Sequence, residues 1–167
     1  MSSETGIDKF GEETIERLMR RVMDGPHGPV GLVLGRHDLP VTIFDRPEQG
    51  RHLRGQMEMA GRIAREVTAR NRVFVVTYSD TLLQSINVLI QLGSIGEKPE
   101  RNALMEQWGL KPDMTLDRAN AHGFQIVDGA MERLKLTELG FVCTDINQAI
   151  ADLTQRVIAL DALFDRD

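Results

Sequence analysis

The run Val73-Phe74-Val75-Val76-Thr77 decides the fold class. It is β-branched or aromatic at every position and shows no polar alternation, so it reads as a strand buried on both faces. Such a strand belongs in the middle of a sheet covered by helices, and a sheet of that kind is expected to be mostly parallel. The flanks agree. Upstream, Leu53, Met57, Ala60, Ala64 and Val67 recur every three or four residues, which predicts a helix over 51–70 with Asn71 as its stop. Downstream, Ser79 and Asp80 both suit an N-cap, and Leu82, Leu83, Ile86, Leu89 and Ile90 predict a helix over 80–92. Before the first helix lies a second apolar run, Val41 to Phe44, ending at Asp45. Strand, helix, strand and helix therefore alternate from 41 to 92, the pattern of an α/β layered sheet.

Further out the signals shorten. Residues 1–11 are polar and contain glycine, so they read as a mobile N-terminus ahead of a single α/β domain over 12–167. Ile15, Leu18, Met19 and Val22 share one helical face and predict a helix over 12–23, ended by Asp24-Gly25-Pro26. Val30 to Leu34 is another apolar run. With Val41–Phe44 it forms either a hairpin or two adjacent strands. Glu97 to Trp108 reads as a short charged helix, broken by Lys111-Pro112-Asp113. Phe124–Val127 reads as a strand, Asp128-Gly129 as a turn, and 131–136 as the returning partner. A last helix is expected after Thr144 or Asp145. Its apolar stripe of Ile146, Ile150, Leu153, Val157, Leu160 and Phe164 either packs across the sheet edge or pairs with a second chain.

Composition narrows the function classes. The chain has 167 residues, enough for one domain with a sizeable core. Its 20 lysines and arginines against 25 acids give a net charge of −5, opposite to that of a dedicated phosphate-backbone binder. Aromatic residues are only 5%, too few for a base-stacking platform. Basic residues do gather between Arg51 and Arg72, but Glu58 and Glu66 interrupt them, and they read as a solvated helix face. Direct nucleic-acid contact is not expected. Cys143 is alone and reads as a small core residue, and His27, His37, His52 and His122 lack metal-ligand spacing, so no metal is assigned. No apolar run reaches the roughly 18 residues of a membrane span, and the polar N-terminus is no signal peptide. A cytoplasmic protein without a membrane partner is expected.

One segment carries a resemblance. Val41-Thr-Ile-Phe-Asp45-Arg46-Pro47-Glu48, followed by His52 and Gln56, resembles the Walker B region of ABC-type ATPases, in particular the OLD-like and AAA-type ATP-binding proteins. Val73-Phe-Val-Val-Thr77-Tyr78-Ser79-Asp80 resembles the switch strand of the same family. Trp108-Gly109-Leu110, Gly123-Phe-Gln-Ile-Val-Asp-Gly129 and Leu139-Gly140-Phe141 resemble its C-terminal segments in the same order, so the likeness spans residues 38 to 165.

The resemblance implies a degenerate nucleotide site. Asp45 matches the family's magnesium-ordering Asp, and Asp45, Glu48, Tyr78 and Ser79 mark what remains of cofactor binding. Arg46 stands where the family has its catalytic Glu, and a guanidinium cannot accept a proton from water. Tyr78 stands where the family has its switch His, and a phenol cannot become a cation. No G-x-x-x-x-G-K-[ST] phosphate loop occurs in the sequence. No catalytic residue and no cofactor are therefore assigned, and Arg46 and Tyr78 are expected close together at the strand ends. Other readings of the same residues stay open. Asp45 can be a turn or capping residue, Arg46 can pair with Glu48, and His52 can be an ordinary helix-start residue.

The expected function is that of a pseudo-ATPase acting through protein–protein contact, regulating or imitating a related ATPase. The expected partner is another protein or a second copy of the chain. Two alternatives stay open. One is a structural component of a larger complex, such as a phage particle. The other is one part of a split ATPase completed by a partner with a phosphate loop.

Overall fold

The β-branched run at 73–77 does become a strand buried on both faces. A computed structural model of the chain describes residues 9–21, 28–143 and 152–156. In order these form α1 (Lys9–Arg21), β1 (Val30–Leu34), β2 (Val41–Asp45), α2 (Leu53–Glu66), β3 (Arg72–Thr77), α3 (Asp80–Ile95) and α4 (Pro99–Gln107). Two short 3-10 turns follow, at Pro112–Met114 and Arg118–Asn120. The chain continues with β4 (Ala121–Val127), β5 (Ala130–Arg133), β6 (Lys135–Thr137) and β7 (Gly140–Val142). The described piece of the expected last helix, 152–156, is helical and exposed. Ile146, Ile150, Val157, Leu160 and Phe164 lie outside the described residues, as does His27. The first helix begins at Lys9, so residues 9–11, expected to be mobile, are helical.

The fold is α/β, but the sheet is not the mostly parallel one expected. Its order is β2-β3-β1-β4-β5. Only β2 and β3 pair in parallel. β1 is antiparallel to both of its neighbours, β3 and β4, and β4 is antiparallel to β5. The expected neighbours β1 and β2 form no hairpin, because β3 lies between them. β6 and β7 make a separate antiparallel pair.

Two cores hold the layers. On one face, Val30, Leu32 and Leu34 of β1 and Val73 and Val75 of β3 pack under α2 and α3, with Ile63, Leu82, Leu83 and Ile86 fully buried. Truncating any one of these four to alanine removes about 2–5 kcal/mol. On the other face, Val33, Phe74, Val76, Phe124 and Ile126 pack under Ile15 and Met19 of α1. There α1 comes so close that a Cβ on Gly31 would sit 2.6 Å from the Met19 sulfur.

Side chains set the ends of the elements. The helix predicted over 51–70 stops at Glu66, because Asn71 turns back and its Nδ2 donates to the Glu66 carbonyl at 2.9 Å. The same amide donates to the Thr42 hydroxyl at 3.0 Å, tying the loop to β2. Within α3, Asn87 is 2% exposed. Its Oδ1 accepts from the Phe141 N–H at 2.8 Å and its Nδ2 donates to the Phe141 carbonyl at 3.1 Å. One amide thus satisfies both backbone groups of a β7 residue, as a neighbouring strand would.

Candidate functional site

The parallel pairing of β2 with β3 fixes the site. In an α/β sheet, ligands gather outside the carboxyl ends of parallel strands, where the following helices begin. Asp45 pairs with Val76, so both strands end at the same level. The ladder continues one residue further, with the Arg46 N–H donating to the Val76 carbonyl at 2.8 Å. To leave the strand, Arg46 adopts φ 45°, a left-handed conformation unusual for a residue with a side chain. The chain then turns through 47–50 to His52, the N-cap of α2, whose Nδ1 accepts from the Gly55 N–H at 3.2 Å. That is the ordinary helix-start role. On the neighbouring strand Thr77 leads through Tyr78 to Ser79, the N-cap of α3, whose hydroxyl accepts from the Leu82 N–H at 3.1 Å.

The residues singled out from the sequence come together here. Glu48 Oε1 accepts from the Tyr78 N–H at 2.9 Å, joining the loop after β2 to the loop after β3. The other oxygen, Oε2, is buried without a hydrogen-bond partner. Arg46 pairs with Asp45, not with Glu48, its Nε lying 3.2 Å from Asp45 Oδ1. This ion pair is half-exposed and contributes at most about 1 kcal/mol. Ser79 Oγ lies 2.5 Å from Gln56 Oε1 of α2, Gln56 Nε2 donates to the Arg51 carbonyl at 3.1 Å, and the Ser79 N–H donates to the Thr77 hydroxyl at 2.9 Å. Asp45, Arg46, Glu48, Gln56, Tyr78 and Ser79 therefore form one polar cluster over the strand ends.

Its chemistry is limited. The Ser79 hydroxyl faces an amide oxygen, which is no general base. His52, the imidazole nearest in sequence, has Nδ1 occupied in the helix cap. Among the described residues no group of three or more His, Cys, Asp or Glu could hold a metal ion. Cys143 is buried, with its Sγ 3.3 Å from Gln125 Oε1. No described helix is long and apolar enough to cross a membrane.

The direction of the other strands adds a constraint. A phosphate loop follows a strand and opens a helix. β1 lies beside β3 but begins at this edge, with Val30 opposite Thr77, and ends at the far side, with Leu34 opposite Val73. β4 does end here, but Asp128-Gly129 turns it straight back into β5. Among the described residues, only the loops after β2 and β3 join a strand to a helix at this edge.

One contributor, Gln56, and one link, from Glu48 to Tyr78, are not assigned from the sequence. Gln56 was noted only for its place in the motif, and the signal for its role is its position one helical turn after the cap, facing the second loop. The link from Glu48 to Tyr78 leaves no local trace, because it depends on the β2–β3 register. No family model matches the chain, and neither a curated protein nor a solved structure matches it.

Proposed function

We propose that this chain is a non-catalytic, ATPase-like protein that acts by contact with another protein. The observation that carries the reading is the state of the two carboxylates in the strand-end cluster. Asp45 is held by the guanidinium of Arg46, and Glu48 is engaged by the backbone of the neighbouring loop. No glycine-rich phosphate-cradling loop occurs in the sequence, and no described strand at this edge other than β2 and β3 delivers a loop into a helix. Two carboxylates without such a cradle repel a nucleotide's phosphates. With Arg46 and Tyr78 at the positions that do the chemistry in the family it resembles, the cluster serves as a clasp between two loops.

Calorimetric titration of the full chain with ATP and magnesium tests this. The expected result is no binding tighter than about 1 mM, and a saturable tighter isotherm overturns the reading. One observation favours a second reading, in which a partner completes the site: Asp45 is half-exposed at the open edge of the sheet and keeps one oxygen outside the ion pair. That reading requires ATP turnover on adding a partner with a phosphate loop, abolished by Asp45→Ala.

A further inference from the structure

We infer that the outward face of α2 docks an acidic, amphipathic helical segment of a partner protein. This rests on the reading that the chain acts through protein contact, and it supplies the surface and the partner's chemistry. At about 100° per residue, Arg54, Glu58, Arg62 and Arg65 share an arc of about 80° that runs about 16 Å along the helix. All four are exposed, and Arg51, also exposed, stands just before the helix with its Nε held by the Pro47 carbonyl at 2.9 Å. The one acid in the stripe is Glu58. It lies 4.0 Å from Arg54, both side chains are largely in solvent, and such a pair neutralises little.

The charge is local. Residues 46–72 contain seven arginines and three glutamates, with no lysine or aspartate, a segment charge of +4. The other residues carry −9, which gives the chain its −5. At physiological salt the field of each patch fades over about 8 Å. A short acidic segment seated on α2 is governed by the arginines, whereas a long polyanion that reaches past them meets the acidic remainder.

The border of the stripe selects the partner class. Leu53 and Met57 are 66% and 59% exposed and lie one turn apart on its flank. A sugar–phosphate backbone has no apolar surface to bury there. A helix that carries carboxylates on one side and leucine-like side chains beside them covers both features at once, the i, i+4 pattern of helix docking. Every cation in the stripe is arginine, whose fork donates two parallel hydrogen bonds to one carboxylate and sheds water more easily than an ammonium group.

The test uses the full chain and, as probe, a synthetic amphipathic helix of about 20 residues with glutamates on one face and leucines on the other. A peptide of the same composition in scrambled order and a short DNA duplex are the comparisons. Anisotropy is expected to show the ordered peptide binding more tightly than the scrambled one. Arg54→Glu with Arg65→Glu should weaken it by about tenfold or more, and Met57→Ser by about threefold. All three positions are exposed, so thermal melting should be unchanged, which separates lost binding from lost folding. No binding of the ordered peptide, or binding indifferent to the arginine reversal, overturns the proposal. Tighter binding of the duplex, insensitive to Met57→Ser, overturns it in favour of nucleic acid. ATP binding measured on the same samples keeps the two questions apart: a bound nucleotide sinks the non-catalytic reading, while the peptide alone decides the α2 face.

Discussion

Glu48 and Asn87 each tie together segments far apart in the chain, Glu48 to the Tyr78 backbone and Asn87 to the Phe141 backbone. Asn87 is buried and presents one donor and one acceptor to a residue that needs both. Glu48 is half-buried and ionisable. As a carboxylate it only accepts, so it matches one N–H and leaves its second oxygen unused. A neutral amide in a dry site closes its account locally, and removing it strands two backbone groups. The carboxylate sits where β2 and β3 open toward solvent, and removing it strands one. The difference is between a buried link on which two backbone groups depend and a half-buried one on which a single N–H depends.

The largest expected effect is at the buried clamp. Asn87→Ala should destabilise the protein by about 2–4 kcal/mol in urea unfolding, because Phe141 loses both hydrogen bonds in a buried place. A loss below about 1 kcal/mol breaks the contrast. Gly140 comes next. It has φ 107°, and any Cβ there would collide with the Asn87 side chain, so Gly140→Ala should cost about 1–3 kcal/mol. Combined with Asn87→Ala it should cost less than the sum, since the obstacle is gone.

In the strand-end cluster the effects shrink. Ser79→Ala removes the cap of α3 and the contact with Gln56, for about 0.5–2 kcal/mol. Glu48→Gln, which keeps an acceptor for the Tyr78 N–H, should change unfolding by no more than about 0.5 kcal/mol. A large loss there makes Glu48 a second structural clamp and removes the distinction.

The smallest effect is a pH dependence in the antiparallel half. His122 of β4 has Nδ1 2.9 Å from Arg133 Nη2. Burial first, then the charges of Arg133 and His37, hold the imidazole below its ordinary value near 6.5. The folded state thus disfavours the proton that the unfolded chain takes up. Stability from this site is full above about pH 6.5 and falls as the pH drops below it. The urea midpoint should decrease between pH 8 and pH 5.5, and His122→Gln should flatten that part of the profile. An unchanged slope in the variant sinks the assignment.

Element types were largely legible in the sequence because they are local. The helices at α2 and α3 follow from apolar spacing, and the β4–β5 hairpin from Asp128-Gly129. Strand direction was not. The buried run Val73–Thr77 suggests a mostly parallel sheet, yet β1 is just as buried and is antiparallel on both sides. Burial on both faces reports that helices cover a strand, not which way its neighbours run. Asp45, Glu48, Tyr78 and Ser79 follow two apolar runs that the sequence marks as strands, and the β2–β3 register brings those strand ends to one level. Arg46 was open between a degenerate catalytic position and an ion pair with Glu48. It turns out of β2 with a left-handed backbone and pairs with Asp45 and not with Glu48, a detail that no side-chain pattern announces. Asn87 was unreadable, since a polar residue within an apolar helical pattern normally faces water.

The position of β1 has a consequence for how the protein is made. This early strand lies at the centre of the sheet, and both of its neighbours come later in the chain. β4 is synthesised roughly 90 residues after β1. At 5–20 residues per second the ribosome takes about 5–18 s to deliver it. Throughout that interval Val30–Leu34 leaves the ribosome as an apolar segment with at most one partner in place. The nascent chain is then most open to chaperones and to aggregation, and slower translation between β3 and β4 should lower the soluble yield more than the same delay after β5.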